Sequence, residues 1–82
     1  MEYFTIYLSD GIYLKNINKE NDNPIVTDYI NEALTFKSQE DVYKCLDETL
    51  LKQKLYDEGC TELSVIKTNV KFSEEEMDVI EL

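Results

Sequence analysis

Eighteen carboxylates, six phenols and two thiols carry whatever chemistry this 82-residue chain can do. Histidine is absent, which removes a histidine base and any histidine-bearing zinc site. Arginine is absent too, all eight cations being lysine, so no guanidinium fork is available to clamp a phosphate. Paired carboxylates can act as general acid and base. With 18 of them in so short a chain, neighbouring pairs arise by chance and single out no catalytic couple. There is no GxSxG, no P-loop and no dinucleotide fingerprint. The Asn16 to Pro24 stretch has no central Gly and closing Glu of a calcium loop. The expectation is a protein that is not an enzyme and needs neither cofactor nor metal.

The thiols fit that expectation. Cys45 falls inside a helical pattern and Cys60 just past its end. A helix over 45–58 spans about 20 Å at roughly 1.5 Å per residue. A disulfide requires Cα atoms within about 7 Å. Two free thiols are expected, with Cys45 a small core residue rather than a nucleophile.

The carboxylates are unevenly spread. Glu74, Glu75, Glu76, Asp78 and Glu81 lie in residues 73–82 with no base among them, half of the net charge of −10. A thinner group comprises Glu20, Asp22, Asp28 and Glu32. Such a run keeps a small protein soluble and monomeric. It can also imitate nucleic acid, since duplex DNA presents one negative charge per roughly 1.7 Å of axis. Clustered carboxylates can occupy a lysine- and arginine-lined channel, with steered association and salt-sensitive affinity. Tyr3, Tyr7 and Tyr13 are the accompanying candidates. On a sheet they are either ordinary outward residues or binding anchors. The partner-binding candidates are Glu74, Glu75, Glu76, Asp78, Glu81, Tyr3, Tyr7, Tyr13, Glu20 and Asp22.

The elements that position them follow from periodicity. Residues 3–17 alternate as a β-hairpin around Ser9-Asp10-Gly11. A two-residue loop pairs Leu8 with Tyr13 and splits the apolar residues between faces. A three-residue loop pairs Leu8 with Ile12 and Ile6 with Leu14. The second gathers Phe4, Ile6, Leu8, Ile12 and Leu14 on one face and the tyrosines on the other, and is preferred because it buries consistently. Ile25-Val26-Thr27 reads as a short strand, Asp28 to Ala33 as a turn or one helical turn, Leu34-Thr35-Phe36 as another short strand. Ser38-Gln39-Glu40-Asp41 resembles a capping box, and Gly59 is a natural helix stop. Between them Val42, Cys45, Leu46, Thr49 and Leu50 form an apolar stripe, and Glu40, Lys44, Glu48 and Lys52 a charge ladder. Leu51, Leu55 and Tyr56 leave the stripe, so the helix bends or its end has a second apolar contact. Thr61 to Phe72 is β-prone with a change of phase near Ile66-Lys67, which a bulge or two short strands would explain. Ser73 with Glu76 gives a second capping signal.

These elements predict an α+β fold. A small antiparallel sheet begins with the hairpin, one amphipathic helix over 38–58 packs on one face, and a short C-terminal helix or acidic tail ends the chain. The division is a single domain over 1–72 and an acidic segment over 73–82. The longest apolar runs are too short to span a membrane. Met1-Glu2-Tyr3-Phe4 lacks the basic and apolar regions of a signal peptide, so a cytoplasmic location is expected. At pI ≈ 4.2 neither nucleic acid nor an anionic membrane is an expected partner.

Lysine in place of arginine, with abundant Asn, Ile and Tyr, is the residue bias of AT-rich codons. Together with Ile6-Tyr7-Leu8-Ser9-Asp10-Gly11-Ile12-Tyr13-Leu14-Lys15, then Ala33-Leu34-Thr35-Phe36-Lys37-Ser38 before an amphipathic helix and a strand near Leu63 to Ile66, the chain resembles small acidic early-region proteins of phages and mobile elements of low-GC Gram-positive bacteria. That class includes anti-CRISPR proteins, some of which imitate DNA. The resemblance implies an inhibitor acting in the host cytosol on a protein with a basic nucleic-acid-binding surface, Cas9 or another CRISPR effector. It carries over no functional residue. The alternative is a non-inhibitory phage or plasmid interaction module, joined as a homodimer through the tyrosine-bearing face.

Overall fold

A computed structural model describes residues 2–69 and 73–82. Its elements are β1 (Glu2–Ser9), β2 (Ile12–Ile17), β3 (Pro24–Thr27), α1 (Gln39–Glu48), α2 (Leu51–Asp57), β4 (Glu62–Asn69) and β5 (Glu74–Glu81), with a 3-10 turn at Ile30–Glu32. The strands make one antiparallel sheet in the order β3-β2-β1-β4-β5. The fold is α+β and begins with the expected hairpin.

The hairpin combines features of both loops weighed above. Tyr7 pairs with Tyr13, the register that gathers the apolar side chains on one face. The closing pair is Ser9 with Ile12, one step out of that register, so Leu8 does not face Ile12 as expected. Asp10 (φ 48°) and Gly11 (φ 79°) both turn left-handed, as a two-residue type I′ loop requires. An irregularity between Tyr7 and Ser9 absorbs the extra residue and restores the alternation. Burial decides the register and the bulge reconciles it with the tight turn. Farther along, the chain at 34–36 supplies further partners. Phe4 and Phe36 exchange backbone bonds of 2.9 and 2.8 Å, and the Leu34 N–H donates to the Leu14 carbonyl at 2.9 Å.

The helix is two helices. Ser38 Oγ accepts the Asp41 N–H at 3.1 Å as the capping motif predicts, and Gly59 (φ 95°) ends the second helix. Between them Thr49 is extended (φ −123°, ψ 169°). Its hydroxyl donates to the Cys45 carbonyl at 2.8 Å and accepts the Leu51 N–H at 3.3 Å, so one side chain ends α1 and starts α2. Asp22, from the loop between β2 and β3, accepts the Leu50 N–H at 3.0 Å. The break resets the helical phase. Leu51 and Leu55 become fully buried, while Leu50, expected in the core, is 59% exposed. The Glu40-Lys44-Glu48-Lys52 ladder holds no ion pair among the described residues, and the break separates its last two members.

Ile6, Leu8, Leu14, Leu63 and Val65 from the sheet and Val42, Leu46, Leu51 and Leu55 from the helices form the core, with Phe4, Ile12, Phe36 and Cys60 packed against it. Both cysteines are free and half-buried, and burial pushes the Cys45 thiol up from its ordinary range.

Residues 74–81 are neither helix nor tail. They form the fifth strand of the same sheet, paired along β4 from Glu62–Glu81 to Thr68–Glu74. The Ser73–Glu76 capping signal is overridden because β4 offers a second row of backbone partners, whereas an isolated short helix is marginal in water. The phase change expected near Ile66 is a register shift at Val65/Ile66, and the extra residue, Met77, lies on β5. Val70 and Phe72, read as β-prone, lie outside the described residues.

Candidate functional site

Alternation along β1 sends Phe4, Ile6 and Leu8 to the helices and Tyr3, Thr5 and Tyr7 to the opposite face. Register carries Tyr13 on β2 and Ser64, Ile66 and Thr68 on β4 to that same face. Glu74 lies opposite Thr68 and Glu76 opposite Ile66, so both carboxylates join it. Among the described residues no helix covers this face.

The Tyr7 and Tyr13 rings meet edge-on, with centroids 5.2 Å apart and planes at 67°. Tyr7 Oη accepts the Gly11 N–H at 2.9 Å, tying the ring to the turn. Tyr13 Oη donates to Glu74 Oε1 at 3.0 Å. Ser64 Oγ donates to Glu76 Oε1 at 2.9 Å. Tyr7, Gly11, Tyr13, Ile66, Glu74 and Glu76 line a cavity of ≈ 300 Å³. Burial, with the hydrogen bond and negative charge of Glu74, pushes the Tyr13 phenol up to about 12. Each effect disfavours the phenolate.

The remaining candidates go elsewhere. The extra residue at Met77 reverses the phase of β5, sending Asp78 and Ile80 to the helix face, opposite Val65 and Leu63. There Asp78 Oδ2 accepts the Tyr43 hydroxyl at 2.6 Å, and Gln39 Nε2 donates to that hydroxyl, also at 2.6 Å. The Asp78 bond raises the Tyr43 phenol, partly offset by the Gln39 donor. Glu75 lies opposite Lys67, which is paired with Glu2 at 3.3 Å. Glu81 returns to the tyrosine face by register but lies outside the cavity, opposite another carboxylate, Glu62. Tyr3 shares the face of Tyr7 but does not line the cavity. Glu20 and Asp22 belong to the loop leading to β3, the other edge of the sheet, and Asp22 is engaged at Leu50. The single acidic run is thus split between two faces.

Gly11, Ser64 and Ile66 are site residues that sequence patterning does not single out. Only the hairpin turn and the register of β4 bring them beside the tyrosines. Among the described residues no group of three or more Cys, Asp or Glu is arranged to hold a metal ion. No described helix is long and apolar enough to cross a membrane. The arrangement offers aromatic surface and anionic acceptors side by side, which suits recognition of a cationic group. Compared with known proteins, the chain matches no family model, no curated protein sequence and no solved structure.

Proposed function

We propose that this chain is a binding inhibitor of phage or mobile-element origin. It sets the β5 carboxylates and the tyrosine face against a basic nucleic-acid-binding surface of a host defence protein in the bacterial cytosol. A CRISPR effector such as Cas9 is the target class, because its motif-reading arginines lie in a positively charged channel. The observation that carries the reading is the state of the carboxylates. Among the described residues only two ion pairs form, Lys15–Glu32 and Lys67–Glu2, both at 3.3 Å. The carboxylates of Glu74, Glu75 and Glu76 stand outside them, on a strand fixed at one edge of a five-stranded sheet. Carboxylates that no described lysine pairs with are what a surface built for phosphates would accept.

A homodimer through the same face is disfavoured by the same charges, because two-fold symmetry sets one patch against its own copy. Glu74 and Glu76 of both chains would then be gathered into one interface, with no described lysine paired to them.

The test is a pull-down from the lysate of a CRISPR-bearing Gram-positive host, comparing wild type with a Glu74→Lys, Glu75→Lys, Glu76→Lys variant. The expected result is capture of a nucleic-acid-binding protein that is released by added duplex DNA and by raised salt, and is not captured by the variant. A partner indifferent to DNA, salt and charge reversal overturns the reading.

A further inference from the structure

The cavity beside the hairpin has a composition that specifies more than negative charge. Glu74 and Glu76 stand on one strand, two residues apart and on the same face, with Tyr7 and Tyr13 as its aromatic walls and Ile66 between. A carboxylate is the natural partner of a planar guanidinium, which donates two parallel hydrogen bonds and stacks on a ring. An ammonium matches only the charge.

A second observation concerns the same face of the sheet. Thr5 and Thr68 are fully buried, and the hydroxyl oxygen of each has no hydrogen-bond partner among the described residues. Such groups are rare, because an unmade bond costs the hydroxyl its hydration with nothing in return. Both lie on the cavity's side of the sheet. Thr5 is the cross-strand neighbour of Ile66, and Thr68 of Glu74. Neither threonine lines the cavity, whose anionic acceptors are the carboxylates of Glu74 and Glu76. A guanidinium, with five N–H donors and no acceptor, is the side chain that can use them.

We infer that this cavity receives an arginine side chain of the partner protein, its guanidinium bound by Glu74 and Glu76 and stacked against the Tyr7–Tyr13 pair. This rests on the proposal that the face meets a basic protein surface, and it names the residue that the surface must present.

The experiment uses the full chain and three blocked tripeptides, Gly-Arg-Gly, Gly-Lys-Gly and Gly-citrulline-Gly, followed by NMR. The Gly11 amide, bonded to Tyr7, and the Thr5 and Thr68 methyls are the reporters. The arginine peptide should shift these signals saturably. The lysine peptide should bind at least about fivefold more weakly, and citrulline, isosteric but neutral, should not bind. Glu76→Gln should weaken arginine binding. Tyr13→Phe, which keeps the ring and frees Glu74, should retain or tighten it. Equal response to arginine and lysine, shifts spread over carboxylates all around the protein, or loss of binding in Tyr13→Phe would overturn the inference. If Glu76→Gln abolishes the peptide response but still captures the lysate partner in a DNA-sensitive way, that peptide response is not how the partner is held. The arginine inference then falls and the inhibitor reading stands. Arginine binding with no DNA-sensitive partner does the opposite: the cavity keeps its arginine and the inhibitor reading falls.

Discussion

The hydroxyl of Tyr13 and the carboxylate of Glu74, 61 residues apart in the chain, meet at 3.0 Å across the face of the sheet opposite α1 and α2. That bond ties the hairpin to the last strand and couples two groups that stand as separate candidates in the sequence.

The coupling has a pH signature. Tyr13 titrates at about 12 in the folded protein against an ordinary 10.0. A phenol raised on folding favours its protonated form, so the stability it contributes is complete below the unfolded value and fades as pH climbs from 10.0 to about 12. Alkaline titration of tyrosinate absorbance, in which Asp78 also raises Tyr43, should show a late phase that belongs to Tyr13. Glu74→Gln should bring it down, and Tyr13→Phe should delete it. An unchanged late phase in Tyr13→Phe would mean another tyrosine is responsible.

The helix break makes adjacent leucines differ in consequence from what a continuous stripe predicts. Leu46→Asp buries an unpaired charge in the core and should unfold the domain. Leu46→Ala should cost about 2–5 kcal/mol. Leu50→Lys, at a 59% exposed position beside Asp22, should change stability by no more than about 0.5 kcal/mol. Thermal or urea unfolding of the three variants measures this, and a severe loss in Leu50→Lys would restore the single-helix reading.

Asp22 is predicted to act structurally rather than as a charge in a binding patch. It accepts the Leu50 N–H and sits at φ 59°, a conformation that Asn tolerates and Ala does not. Asp22→Asn should be near neutral in urea unfolding. Asp22→Ala should cost about 1–2 kcal/mol from the lost bond and the strain. Equal midpoints for the two variants would remove the role.

The C-terminal acids should matter for folding as well as for charge. Shortening the chain to end at Ser73 deletes β5, exposes the backbone edge of β4 and removes Ile80 from the margin of the core. The circular dichroism melt of that variant should move far below wild type or lose cooperativity. An unchanged melt is what a solvated tail would give. In contrast, Glu75→Gln leaves every strand in place and should melt within about 0.5 kcal/mol of wild type.

Local rules determined a definite part of this protein. Alternation with the burial criterion placed Phe4, Ile6 and Leu8 opposite Tyr3, Tyr7 and Tyr13. Ser38 and Gly59 marked where helix begins and ends, and the missing histidine and arginine narrowed the chemistry. Each of these signals acts within a few residues of chain, where sterics and hydrogen bonding are the same in any fold. The rest was decided between distant segments. Thr49 is a weak helix former, but propensity alone does not stop a helix, and the break falls where Asp22 and the core both favour a change of phase. Ser73 to Glu81 carries a helical start signal and becomes a strand, because the edge of β4 supplies backbone partners that a short solvated helix lacks. The extra residue at Met77 then parts Asp78 from Glu74 and Glu76, which simple alternation would have kept together. A pocket built from the second, first, fourth and fifth strands exists only once their register is set, and register is a property of pairs of segments, not of either one.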